Sequence, residues 1–127
     1  MANILVIDDN PENREILKAR LEQAGHHVVE AKDGDEGVGL CKDPKPDLIF
    51  LDVMMPKVDG WQVCRQLKAN PLTRNIPVVM LTALGQKIDQ LRGFESGADE
   101  FLTKPWDAQH LLEIVRTLCP AAGIVKE

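Results

Sequence analysis

The sequence is poor in cysteine: three residues in 127, Cys41, Cys64 and Cys119, with no C-x-x-C pair and no histidine nearby in a metal pattern. An odd, widely spaced set excludes a disulfide framework and a cysteine-built zinc site, so reduced, buried thiols are expected. The three histidines add no zinc site, because His26 and His27 are neighbours that a strand would point to opposite faces and His110 has no partner at metal spacing. A basic stripe is also missing. Fifteen Lys and Arg against twenty Asp and Glu give a net charge of −5, which argues against direct nucleic-acid binding. No apolar run approaches the ~18 residues of a membrane span, and the opening residues carry no basic segment ahead of an apolar core. No membrane association and a cytoplasmic location are therefore expected. Repeats, linkers and low-complexity tracts are absent too, which leaves a single compact unit expected over residues 1–120 and a frayed tail over 121–127.

What is present is a regular alternation. Apolar runs at 3–7, 27–31, 47–51, 77–81 and 100–102 read as strands, separated by helix-period segments near 11–24, 35–42, 60–69, 87–96 and 107–119. Such alternation predicts an α/β fold, a doubly wound five-stranded parallel sheet with helices on both faces. Leu17, Leu21 and Ala24 form one predicted buried stripe, and Leu111, Ile114, Val115 and Leu118 another. Asn10-Pro11 reads as an N-cap followed by proline at the first helical position, and Gly25 and Gly97 stand where helices should stop. The segment near 35–42 is predicted to be the weakest cover, because Gly37 and Gly39 each cost about 1 kcal/mol relative to alanine inside a helix.

Ligands of open α/β sheets bind at the carboxyl ends of the strands, so the polar residues there are the candidates for chemistry. They are Asp8 and Asp9 after the first strand, Asp52 after the third, Thr82 and Ala83 after the fourth, and Thr103, Lys104 and Pro105 after the fifth. Taken singly, Asp8 and Asp9 read as helix caps, Asp52 as a solvated strand end, Thr82 as a loop hydroxyl and Lys104 as a surface lysine. Taken together they bring three carboxylates, a hydroxyl and an ammonium to one edge. Gathered carboxylates repel, and a hard divalent cation with oxygen ligands, Mg²⁺ above all, is the ordinary resolution, with Lys104 left to meet an anion.

Four stretches resemble, in order and spacing, the receiver domain of two-component response regulators. They are Ile4-Leu5-Val6-Ile7-Asp8-Asp9-Asn10; Leu48-Ile49-Phe50-Leu51-Asp52-Val53-Met54-Met55-Pro56 with Asp59-Gly60; Leu81-Thr82-Ala83; and Phe101-Leu102-Thr103-Lys104-Pro105. Successive spacings from Asp8 through Asp52 and Thr82 to Lys104 are 44, 30 and 22 residues. The resemblance implies a flavodoxin-like (β/α)5 fold with strand order 2-1-3-4-5. It also implies a signalling module that catalyses its own phosphorylation and slow dephosphorylation rather than an enzyme with an independent substrate. Asp52 matches the phosphoacceptor. Asp9, Asp52 and the backbone carbonyl of Met54 match ligands of Mg²⁺, for which Mn²⁺ can substitute, and Asp8 matches a supporting acidic position. Thr82, the Ala83 backbone and Lys104 match phosphoryl-binding groups, and Phe101 matches an aromatic position that moves with Thr82. Pro56, Gly60 and Pro105 match positions of loop geometry, Pro105 with a cis bond to Lys104. The partners implied are a sensor histidine kinase or histidine phosphotransfer protein, an output domain or effector, and a second receiver in a phosphorylation-dependent homodimer. The output would be read on the face of the fourth and fifth helical segments and the fifth strand. Apolar Met54 and Leu84, flanking the water path, predict slow loss of the phosphoryl group. Within the family, the stretches around Val53–Pro56 and Asn70–Val79 are similar to receivers joined to diguanylate cyclase domains and to some hybrid kinases, although no GGDEF-type, DNA-binding or kinase sequence is present.

Three other readings fit less well. An aspartate-nucleophile hydrolase of the haloacid-dehalogenase type needs Asp-x-Asp, and Asp52-Val53-Met54 lacks the second carboxylate. A flavin carrier needs a hydroxyl- and glycine-rich phosphate loop after the first strand, where Asp8-Asp9-Asn10-Pro11 would repel phosphate. A receiver that only binds partners would have lost one of the core positions, and all are intact. Gly34, Gly37 and Gly39 do not form G-x-G-x-x-G, which removes a dinucleotide reading.

Overall fold

The computed structural model describes residues 2–41, 45–53, 59–83, 97–104 and 106–119. Five strands, β1 (Asn3–Ile7), β2 (His27–Ala31), β3 (Leu48–Asp52), β4 (Val78–Ala83) and β5 (Glu100–Lys104), alternate with helices α1 (Pro11–Gln23), α2 (Gly34–Gly39), α3 (Gly60–Ala69) and α4 (Ala108–Leu118). The strands form one parallel sheet in the order β2-β1-β3-β4-β5. Every residue of β3, at the centre, is buried, the condition that produces a continuous apolar run rather than alternation. The fourth predicted helical segment, 87–96, lies outside the described residues.

Alternate side chains of each strand feed two cores. Ile4, Val6, Leu48, Phe50, Val79, Leu81 and Leu102 pack with Leu17 and Leu21 of α1 and Leu111, Ile114 and Val115 of α4. Leu5, Ile7, Ile49, Leu51, Val78 and Met80 pack on the other face with Trp61, Val63, Cys64 and Leu67 of α3. The three cysteines are buried and reduced. Burial pushes the Cys119 thiol up to about 11, with the Asp47 charge adding to it.

The ends of the helices follow the capping residues. Asn10 accepts from the Glu12 and Asn13 amides, Asp59 from Trp61 and Asp107 from His110, each satisfying donors that a first turn leaves free. Helix α1 stops at Gln23, and Gly25 follows at φ +95°. Ala24, expected on the buried stripe, is instead the exposed C-cap. Strands β3, β4 and β5 run further than expected because the ladder continues through Asp52↔Leu81 and Ala83↔Lys104. The candidate residues thus sit on the last rungs of the sheet, where the backbone is fixed.

Helix α2 begins at Gly34 and ends at Gly39, shorter than the sequence suggests. Its glycines are not equivalent. A Cβ on Gly37 would collide with Ile7 Cδ1 and lie 2.8 Å from Ile7 Cγ1, whereas one on Gly39 would meet nothing within 4 Å among the described residues. Gly37 is therefore a packing requirement rather than a simple propensity cost. Gly39→Ala should stabilise the protein by about 0.5–1 kcal/mol, while Gly37→Ala should destabilise it by about 1–3 kcal/mol through overpacking. Urea midpoints moving in opposite directions would show this; two upward shifts would contradict the packing account.

Candidate functional site

The side-chain alternation that sorts the two cores also aims the site. Asp8 continues the row Ile4, Val6; Asp52 continues Leu48, Phe50; Lys104 continues Leu102. All three share the face that carries α1 and α4, one step beyond the apolar rows. Thr82 has the parity of Val78 and Met80, on the α3 face, which it shares with half-buried Phe101. In register Met80 pairs with Phe101, and Thr82 lies two residues further along the same strand.

Asp8, Asp9 and Asp52 each offer a carboxylate oxygen, and these oxygens lie within 4.8 Å of one another. Asp8 and Asp52 are buried and Asp9 is exposed. Lys104 Nζ approaches Asp52 Oδ1 at 3.3 Å, and Thr82 is buried at the end of the neighbouring strand. Gly60 closes the floor, with its N–H donating to Val53 O at 3.1 Å. The structure thus brings Asp8, Asp9, Asp52 and Lys104 together, seats Thr82 and the Ala83 backbone on the adjoining strand end, and places Gly60 at the start of α3. Met54, Pro56, Leu84 and Pro105, with its expected cis bond, lie outside the described residues.

The Asp8 carboxyl has a perturbed acidity. Burial pushes it from the ordinary 3.8 up to about 6, opposed by the Asn10 amide, increased by the Asp52 charge and opposed again by Lys104. Asp8 Oδ1 accepts from the Asn10 N–H at 2.9 Å, while Oδ2 is buried and receives no donor among the described residues. Its neighbour is the Asp52 carboxylate, with which it can share only a proton or a cation. A fully buried acceptor without a donor, inside a cluster of hard oxygen ligands, fits a divalent cation. Unfolded, the Asp8 carboxyl loses its proton near 3.8; folded and metal-free it keeps it to about 6. Between those values the folded state binds more protons, so metal-free stability should fall as pH rises from about 4 to 6. A melting temperature measured in chelator should decline across that window, and Asp8→Asn should flatten the decline. Saturating Mg²⁺ should oppose it, because the cation needs the ionised carboxylate.

Arg14 was not among the residues singled out by sequence. It lies one turn into α1, and its Nη1 donates to the Asp8 carbonyl at 2.6 Å while its Nε pairs with Glu30 Oε1 at 3.1 Å. The one available hint was its place a turn after the Asn10 cap, on the helix that follows two adjacent acids.

A parallel sheet in this order gathers an acidic cluster and a lysine at the carboxyl ends of its strands, the edge where open α/β sheets bind their ligands. The chain belongs to the response regulator receiver domain family, whose model matches residues 4–116. It is 50% identical over 118 residues to the DNA-binding dual master transcriptional regulator RpaA of Synechocystis, covering 93% of this chain and 49% of that protein. It is 48% identical over 126 residues to the response regulator PleD of Caulobacter vibrioides, covering 99% of this chain and 28% of that one. Among solved structures, the receiver domain of a signal transduction histidine kinase from Syntrophus aciditrophicus matches with a TM-score of 0.86 and 38% identity, covering 100% of this chain and 95% of that one. The chain therefore spans about half the length of RpaA and about a quarter of PleD. It is a two-component signalling module, and receiver domains interact with histidine kinases. Among the described residues no helix is long and apolar enough to cross a membrane.

Proposed function

We propose that this receiver accepts a phosphoryl group on Asp52 from the phosphohistidine of a sensor kinase or histidine phosphotransfer protein. The observation that carries the reading is the contact of Lys104 with Asp52 inside the three-carboxylate cluster. Asp8, Asp9 and Asp52, with the Met54 carbonyl as the resemblance implies, would hold Mg²⁺ or Mn²⁺. A bound cation would supply charge neutralisation for the attacking carboxylate and the phosphoryl oxygens.

An Asp52 carboxylate oxygen attacks phosphorus, so that an O–P bond forms as the P–N bond of the donor breaks and the imidazole leaves with the bonding pair. Lys104 exchanges its contact with Asp52 for a phosphoryl oxygen, keeping its proton. The Thr82 hydroxyl and the Ala83 amide donate to the remaining oxygens. Movement of Thr82 toward the phosphoryl group opens space on the face it shares with Phe101, whose further burial contributes about 1.5–3 kcal/mol. A swing of the population from 1:99 to 99:1 needs about 5.5 kcal/mol, so the output partner, effector or second receiver completes the switch by binding one state better. The resemblance places the face it would read on β5, α4 and the segment 87–96, the last of which lies outside the described residues.

The test is intact mass after incubation with acetyl phosphate. One phosphoryl group should be gained with Mg²⁺ and none in chelator, and hydroxylamine-sensitive label should map to the peptide containing Asp52. No gain with Mg²⁺, or label elsewhere, would overturn the assignment.

A further inference from the structure

We infer that Arg14 is a positioning residue for the carboxylate cluster, acting through the main chain of Asp8. The inference rests on Asp8, Asp9 and Asp52 holding a divalent cation. Asp8 is the first residue past β1; its N–H extends the sheet by donating to Ala31 O of β2 at 3.1 Å, and its Oδ1 accepts from Asn10 N in the turn. Its carbonyl belongs to the peptide that leads into Asp9, so the tilt of that peptide decides where the Asp9 carboxylate goes. Asp8 is fully buried, and Arg14 Nη1, at 2.6 Å, is the donor to that carbonyl.

The guanidinium is itself held. Its Nε meets Glu30 Oε1 at 3.1 Å, and Glu30 Oε2 takes Lys18 Nζ at 3.5 Å. Glu30 is fixed in β2 opposite Val6 of β1. Arg14 therefore ties α1, the edge strand β2 and the turn bearing two of the three acids into one unit. A rigid planar fork can meet a carboxylate with one nitrogen and a carbonyl with another; a lysine ammonium keeps the charge without that paired geometry. Residues behind a metal's direct ligands set its affinity by fixing ligand orientation, and their loss commonly weakens binding 10–100-fold.

Calorimetric titration of Mg²⁺ into metal-free protein, well below the unfolding transition of each variant, tests this without any phosphoryl transfer. Arg14→Met and Arg14→Lys should each weaken Mg²⁺ about tenfold or more, and Glu30→Gln by a smaller factor, about threefold. Lys18→Met, which loses a Glu30 pair but leaves the Asp8 carbonyl alone, should bind as wild type does. Wild-type affinity in either Arg14 variant overturns the inference, whatever its melting temperature, because a purely structural arginine would move stability and leave affinity unchanged. Should both Arg14 variants fail to fold, wild-type affinity in Glu30→Gln overturns it instead. Wild-type protein that takes up no Mg²⁺ at all would refute the cation reading beneath it, a distinct outcome.

Discussion

Asp52→Asn is expected to abolish the mass gain from acetyl phosphate and Mg²⁺. The amide keeps the shape of the side chain but has no oxygen anion to attack phosphorus, and it also removes one of the three charges that make the cluster attractive to a cation. Folding should survive, because relieving repulsion between Asp52 and Asp8 removes a cost rather than a support. The Asp8 carboxyl should accordingly titrate below its present value of about 6, since the Asp52 charge is one of the causes that raise it. Intact mass reads the first effect, and side-chain carboxyl NMR shifts followed against pH read the second. Persistence of label in the variant would assign the chemistry to another residue.

Gly60→Ala is expected to damage both stability and phosphorylation. Helix propensity alone favours alanine at this first position of α3 by up to about 1 kcal/mol. Packing opposes it more strongly: an added Cβ would collide with the Asp52 carbonyl oxygen and lie 2.8 Å from Val53 Cα and 3.0 Å from Val53 O. All three are main-chain atoms, which cannot rotate aside as a side-chain tip can. A net loss of about 1–3 kcal/mol should follow, read as a lower urea midpoint. The strand end that must yield is the one bearing Asp52. A displacement of about 1 Å can cost 10²-fold in rate, so label should accumulate at least tenfold more slowly in the fully folded variant. A wild-type rate would mean that the loop gives way without moving Asp52.

The sheet could be read from sequence because Ile4 to Ile7 and Leu48 to Leu51 are short apolar runs bounded by polar and turn residues and alternating with helix-period segments, and that combination favours buried parallel strands. Strand order came from the family resemblance, since periodicity says nothing about neighbours. The segment near 35–42 reads as helix by its period and as weak by glycine propensity, and neither can reveal that Ile7 fills the space a Gly37 side chain would need. The gathering of Asp8, Asp9, Asp52 and Lys104 was legible because strand ends of a parallel sheet all face one edge. Arg14 was not legible, because its bond goes to a main-chain carbonyl. No residue pattern separates such an arginine from the solvated charges around it on the same helix.

Because Asp8, Asp52 and Lys104 are simply the next steps of buried rows, their placement depends on strand pairing being correct to the residue. A one-residue slip would send a strand's entire set of side chains to the opposite layer. It would carry Asp52 away from its partners as surely as it moved Phe50 and Leu48 into the other core. The register that fills the two cores is thus the same register that assembles the acidic cluster, so an error in one is an error in the other.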